Sequence, residues 1–337
     1  MEIQWKPGFS EGSRGAGYTR KTCVAVFLLL SLSGCSVKKM AVNSLADALS
    51  GGGSSVYMTD DDPALVGEAL PFGLKLMETI LQEAPDHEGL LVSAAAGFVM
   101  YGQAWVLRPS RMMEATDLVG AREKRRRAKA LFLRARRYAE RALELRHPDL
   151  LGKLAEDPDA AVEKLVARDL PAMYWYAAAF GSAVTSDLSD MELVAGFRVI
   201  PPLLRQGLEL DETWNHGALH ELLMAMPASA GGTPETAEHH FKRAMELNGG
   251  RSLGPMVSLA EIVCIPSQDK ARFTNLLTEV LAFDVNRHPE NRLANTLAQE
   301  HAAWLLSRTD ELFLGAFERH PTISLEKKER GSWPARF

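Results

Sequence analysis

From Pro63 onward, apolar residues recur every three to four positions, the period of helices that each bury one face. No segment there alternates with the two-residue period of a strand, and Ala, Leu, Glu and Arg dominate. The pattern predicts an all-α chain. It also repeats. Ala142-Leu143-Glu144-Leu145, Gly207-Leu208-Glu209-Leu210 and Ala244-Met245-Glu246-Leu247 are variants of one phrase, each closing a predicted helix. Upstream of the last, Ala237, Phe241 and Ala244 have the spacing by which the second helix of a tetratricopeptide repeat interlocks with its neighbours. Ala135, Ala139 and Ala142 share that spacing, as do Phe273, Leu277 and Val280, and Gly73, Met77 and Ile80.

The equivalent positions Ile80, Ala142, Gly207, Ala244 and Val280 are separated by 62, 65, 37 and 36 residues. The last two intervals approach the repeat period of about 34 residues. The longer ones require insertions: an extended helix over Ala121–Arg146 and a short one near Pro158–Ala167. The expectation is a tetratricopeptide-like array of about four helix pairs, with extra helices and a C-terminal capping helix over Asn291–Arg308. In such an array each pair buries its apolar face only against the next pair.

The N-terminal region departs from this pattern. The basic pair Arg20-Lys21 precedes an apolar run, Cys23 to Leu32, and then Leu32-Ser33-Gly34-Cys35. Basic start, apolar middle and small-residue cleavage site read as a secretory signal. The run is well short of the roughly 20 apolar residues that span a bilayer. Leu-Ser-Gly-Cys is similar to a bacterial lipobox, so residues 1–34 are expected to be a lipoprotein signal peptide and Cys35 the lipidated residue. Multiple acyl chains would anchor the chain stably to a membrane. Ser36 favours the outer membrane, with the inner membrane left open. Ser50 to Pro63 is Gly/Ser-rich and then acidic, so residues 35–63 are expected to form a flexible tether reaching roughly 20–30 Å. The repeat domain is placed at 64–320, with a disordered tail at 321–337.

Charge and cysteine content narrow the function. Cleavage after Gly34 leaves 303 residues and removes Lys6, Arg14, Arg20 and Lys21 against Glu2 and Glu11, moving the formal charge from -5 to -7. An acidic chain of this kind is a poor nucleic-acid binder. Cys264 alone remains beyond Cys35, so there is no disulfide framework, and its apolar neighbours read as core.

No Walker loop or Gly-x-Gly-x-x-Gly turn occurs, and the Gly-x-Ser-x-Gly pattern, present at Gly8–Gly12 and Gly250–Gly254, lacks the preceding strand that a nucleophile elbow requires. His216 and His220 are four apart on one predicted helix, with His239 and His240 on the next. His220-Glu221-Leu222-Leu223-Met224 resembles the start of a zinc-protease helix, but methionine stands where the second histidine must be. A metal-dependent hydrolase is therefore the weakest reading, and no metal, cofactor or catalytic residue is expected.

Two features suit binding. Between Arg122 and Arg146 lie eleven Lys/Arg against Glu123, Glu140 and Glu144, above an intact apolar stripe. That is an amphipathic helix with a solvated cationic face, or a docking surface for an acidic partner or anionic headgroups; Arg125, Arg126 and Arg127 are the candidate partner contacts. Aromatics supply the second feature. Tyr101, Trp105, Tyr174, Trp175, Tyr176 and Trp214 fall on predicted first helices, which line the concave face of repeat arrays. With His216 they form the candidate ligand site, the alternative being packing between repeats.

The order and spacing of several phrases resemble the TRAP-transporter TatT component family of tetratricopeptide-like periplasmic lipoproteins. They are Ser44-Leu45-Ala46-Asp47-Ala48-Leu49, Asp61-Asp62-Pro63-Ala64-Leu65-Val66 and Ala69-Leu70-Pro71-Phe72-Gly73-Leu74-Lys75. Asn215-His216-Gly217-Ala218-Leu219 and His240-Phe241-Lys242-Arg243-Ala244 complete the set. The resemblance runs from Cys35 to about Phe317. It implies a non-enzymatic periplasmic partner of a TRAP-type substrate-binding protein, trimeric, with a ligand-accessible channel in each subunit. The rival reading is a lipid-anchored helical scaffold for envelope complexes, without a ligand of its own.

Overall fold

The computed structural model describes residues 38–51, 53–226 and 231–314. The expected signal peptide, Cys35 and the tail 321–337 lie outside the described residues. Within them the chain is all-α, with no strand, and it divides into two compact units between Asn215 and His216.

In the first unit, α1 (38–51) and α2 (Gly53–Met58) occupy the stretch expected as flexible tether. Helical order there has visible causes. Ala46 is fully buried, Asp47 meets the His87 ring at 3.0 Å, and Lys38 pairs with Glu83 at 2.7 Å. The Ala- and Leu-rich sequence before Ser50 outweighs the glycines that follow it.

Helix α3 (Pro63–Glu83) starts where Asp62 accepts hydrogen bonds from the amides of Ala64 and Leu65, with Pro63 at its first turn. The α4 helix (Glu88–Tyr101) passes through a π-helical turn, Gly102–Leu107, into α5 (Arg108–Met113). This Glu88–Met113 stretch is long and apolar enough to cross a membrane. Its Leu90, Leu91, Ala94, Ala95 and Phe98 are instead buried against neighbouring helices.

At the centre lies α6 (Leu118–Arg146), capped by the Asp117 carboxylate on the Gly120 amide and packed along both α4 and α9 (Leu170–Ser186). Its buried stripe is Ala121, Ala128, Phe132, Ala135, Ala139 and Ala142. The small side chains let two helices approach α6 closely, as the sequence pattern required. Short helices α7 (Leu150–Glu156), α8 (Pro158–Val162) and α10 (Met191–Gly196) lead to α11 (Ile200–Asp211).

The second unit comprises α12 (Ala218–Met224), α13 (Pro234–Asn248), α14 (Gly254–Leu259) with a π turn to Cys264, α15 (Lys270–Ala282), α16 (Arg292–Ser307) and α17 (Thr309–Leu312). Its core joins Met256, Ala260, Cys264, Phe273, Leu277 and Val280 with Ala302 and Leu305 of α16. Helix α16 sits where the capping helix was expected. Buried Asn295 accepts from the Leu253 amide at 3.0 Å and donates to the Arg251 carbonyl at 2.9 Å. Gln299 donates to the carbonyls of Val280 and Phe283, satisfying the end of α15.

All five positions of the repeat register, Ile80, Ala142, Gly207, Ala244 and Val280, are buried on α3, α6, α11, α13 and α15. That is consistent with a helical-repeat arrangement.

Candidate functional site

In the first unit a half-open groove of about 500 Å³ lies among α6, α7, α9 and α10. Its walls come from short apolar side chains: Leu151, Leu154 and Ala155 of α7, Leu193 and Ala195 of α10, and Val199. The polar floor belongs to α6. Arg136 donates from Nε to Glu140 Oε1 at 2.6 Å, an i,i+4 pair, and its guanidinium lies 4.0 Å from the centre of the Phe180 ring. Phe180 is edge-on to both Tyr176 and Phe197. Burial pushes the Tyr176 hydroxyl up to about 12, with Arg136 offsetting part of the rise, so it remains a neutral hydrogen-bonding group.

One rim of the groove is held by charge. Lys129 bridges Asp187 at 2.7 Å and Asp190 at 2.8 Å. Its hydrogen bonds lower both carboxylates, Asp187 to about 2. Asp190 also caps α10 through the Leu193 amide. Arg198, exposed at the mouth, donates to the Ala155 carbonyl of α7.

Of the sequence candidates, only Tyr176 lines this groove. Tyr101 and Trp105 stack on one another at 6.1 Å, and the Trp105 indole donates to the Pro63 carbonyl at 3.0 Å. A Cβ at Gly67 would strike that indole; Trp105 therefore packs the π-helical turn against α3. Tyr174 contacts Trp175 and Trp214 at 4.9 and 5.2 Å, a separate half-buried aromatic cluster. Arg136, Glu140 and Phe180 were not singled out from the sequence. Arg136 and Glu140 looked like part of a solvated face, although their i,i+4 spacing was readable.

The candidate partner residues separate as well. Arg125 is tied to Glu114 at 2.8 Å, and Arg127 lies over the Tyr101 ring at 5.8 Å. Arg126 is exposed. A shallow depression of about 370 Å³ follows α6 between Arg127 and Arg137, floored by Ala130, Leu131 and Leu133 and flanked by Arg134.

In the second unit, His216 is exposed and does not share a helix with His220. Asn215, His216 and Gly217 have φ of 45, 58 and 86°, and this left-handed turn precedes α12. His220 and His240 do meet, with Nδ1 atoms 2.8 Å apart. Among the described residues no group of three or more His, Cys, Asp or Glu is placed to hold a metal ion.

A family model described as TRAP transporter T-component matches residues 59–313. The chain belongs to that family. Its role is therefore associated with TRAP transport, in a family of envelope transporter components. A Treponema pallidum (strain Nichols) protein described as "Uncharacterized protein" is 26% identical over 316 residues, covering 88% of this chain and 98% of its own length. The T-component match takes in α3 to α17, so it includes both the groove and the arginine-rich face of α6.

Proposed function

We propose that this chain is a non-enzymatic, lipid-anchored component of a TRAP-type uptake system, binding the periplasmic substrate-binding protein and a small organic solute. The groove on α6, α7, α9 and α10 carries the solute half of this reading. Its volume and its apolar walls around a few placed polar groups are those of a small-molecule site. The cationic face of α6, on an otherwise acidic chain, supports a partner whose contact surface is acidic. Acyl chains on Cys35 hold the molecule at the membrane facing the periplasm, where tethering raises its effective concentration for partners kept there. The working unit is a homotrimer, as the TatT resemblance implies.

The decisive experiment is co-expression with a TRAP-type substrate-binding protein from the same organism, followed by co-purification and sedimentation velocity. A complex at micromolar concentration is expected. If the two proteins sediment separately, the transport reading gives way to the scaffold.

A further inference from the structure

We propose that the Arg136–Glu140 groove selects uncharged, partly apolar molecules carrying a hydrogen-bonding end, and rejects carboxylates. This deepens, and rests on, the solute half of the proposed function.

The charge inside the groove is already compensated. The groove's inner cation, Arg136, is paired with Glu140 at 2.6 Å and stacked on Phe180 at 4.0 Å. A carboxylate reaching the Arg136 guanidinium would join Glu140 there, placing two anions against one cation in a partly buried site. Asp190 and Glu192 add negative charge at the rim, and Lys129, which faces Asp190, is shared with Asp187. Arg198 is the remaining cation of the lining, but it is exposed, where an ion pair contributes little. An ammonium group fares no better at the floor, because Glu140 is already occupied by Arg136.

A neutral hydroxyl or carbonyl meets none of these penalties. The Tyr176 hydroxyl, kept protonated by burial, can donate to it or accept from it. Leu151, Leu154, Leu193 and Val199 then cover an aliphatic or aromatic body. The volume of about 500 Å³ accommodates a molecule of that kind.

The test uses the full chain carrying Cys35→Ala, so that no acyl group competes for the groove. Three probes share one body and differ at one end: 4-phenylbutan-1-ol, 4-phenylbutanoate and 4-phenylbutylamine. Calorimetric titration at pH 7.5 should give the alcohol an affinity at least about tenfold above either ion, since burying an unpaired charge is costly. Two variants should redirect the preference in opposite directions. Glu140→Gln leaves Arg136 uncompensated and should favour the carboxylate; Arg136→Met leaves Glu140 uncompensated and should favour the amine. If either variant does not fold, the other and the parent still decide. Tighter binding of the carboxylate or amine by the parent, no binding of any probe, or folded variants with unchanged order would overturn the proposal. Association with the binding protein is measured separately: a complex without alcohol binding sinks this inference alone, and alcohol binding without a complex sinks the transport partnership alone.

Discussion

The imidazoles of His220 and His240 face each other across α12 and α13, Nδ1 to Nδ1, at 2.8 Å. One nitrogen must donate and the other accept, so the contact requires that at most one ring be doubly protonated. His220 is 2% exposed. Burial, then the charges of His220 and His239, bring His240 down to about 4. A histidine with a depressed native pKa takes up protons more readily when unfolded. Its contribution to stability is complete above about 6.5 and is lost as pH falls toward about 4. Replacing it, as His240→Gln, should flatten the fall in melting temperature between pH 7 and pH 5. An equally steep fall in the variant would place the acid sensitivity elsewhere.

Glu221, next to His220 in sequence, should act with the opposite sign. Burial raises its carboxyl to about 7. The native state holds this proton more tightly than the unfolded chain, so its cost grows as pH rises from about 4.5 through about 7. Glu221→Gln should therefore raise the melting temperature more at pH 8 than at pH 5. Comparing the two pH values in one buffer series gives the sign directly.

Much of the fold was legible because α-helical burial leaves a period in the sequence. Ala128, Leu131, Phe132, Ala135, Ala139 and Ala142 were identifiable as one face of α6; all are buried there except Leu131, which is half-buried and lines the depression. Regions governed by tertiary contact were not. The helix at 38–51 was hidden by the glycines after Ser50, since the contacts of Ala46 and Asp47 come from other segments. His216 and His220 looked like one helical pair until three left-handed residues separated them. The groove was the least legible feature. Four helices spread over some 80 residues contribute to it, and of the aromatic candidates only Tyr176 lines it.

The turn before α12 makes its own prediction. Gly217 has φ +86°, and a Cβ there would lie 2.9 Å from the Leu247 Cβ and 3.6 Å from the Ala244 Cα. Gly217→Ala should destabilise by about 1–3 kcal/mol through backbone strain and this close approach. Ala244→Leu overpacks the same contact, at about 1–3 kcal/mol. Since both act on one α12–α13 contact, their effects in denaturant titration should not add. Simple additivity would argue that the two positions are independent.

Asp169 is the chain's clearest buried charge in the first unit, 1% exposed. Arg146 meets it at 2.5 Å, His147 at 2.8 Å, and its Oδ2 also accepts from the Val166 amide at 2.8 Å. Removing the carboxylate leaves Arg146 and that amide without their shared partner, so Asp169→Ala should cost about 3–5 kcal/mol. Arg205→Ala is the control: it breaks an exposed pair with Asp159 at 2.7 Å and should cost no more than about 1 kcal/mol. Similar midpoints for the two variants in urea would count against the buried cluster as a major contributor.

The cationic face of α6 allows partner association to be tested without damaging the fold. Arg125 is anchored by Glu114 and Arg127 by Tyr101, so reversing those residues would also break internal contacts. Arg126 and Arg137 are exposed, and Arg137 borders the depression floored by Ala130 and Leu133. The double variant Arg126→Glu and Arg137→Glu should therefore leave the melting temperature within about 1 °C while slowing association with the TRAP-type binding protein. Rim charges act mainly on encounter, so the on-rate should fall by about tenfold or more at low salt, with a smaller change in off-rate. Raising ionic strength should narrow the gap between parent and variant, because screening weakens the long-range attraction that the arginines supply. Surface plasmon resonance across a salt series separates these effects. Identical on-rates for parent and variant at low salt would remove the α6 face from the contact.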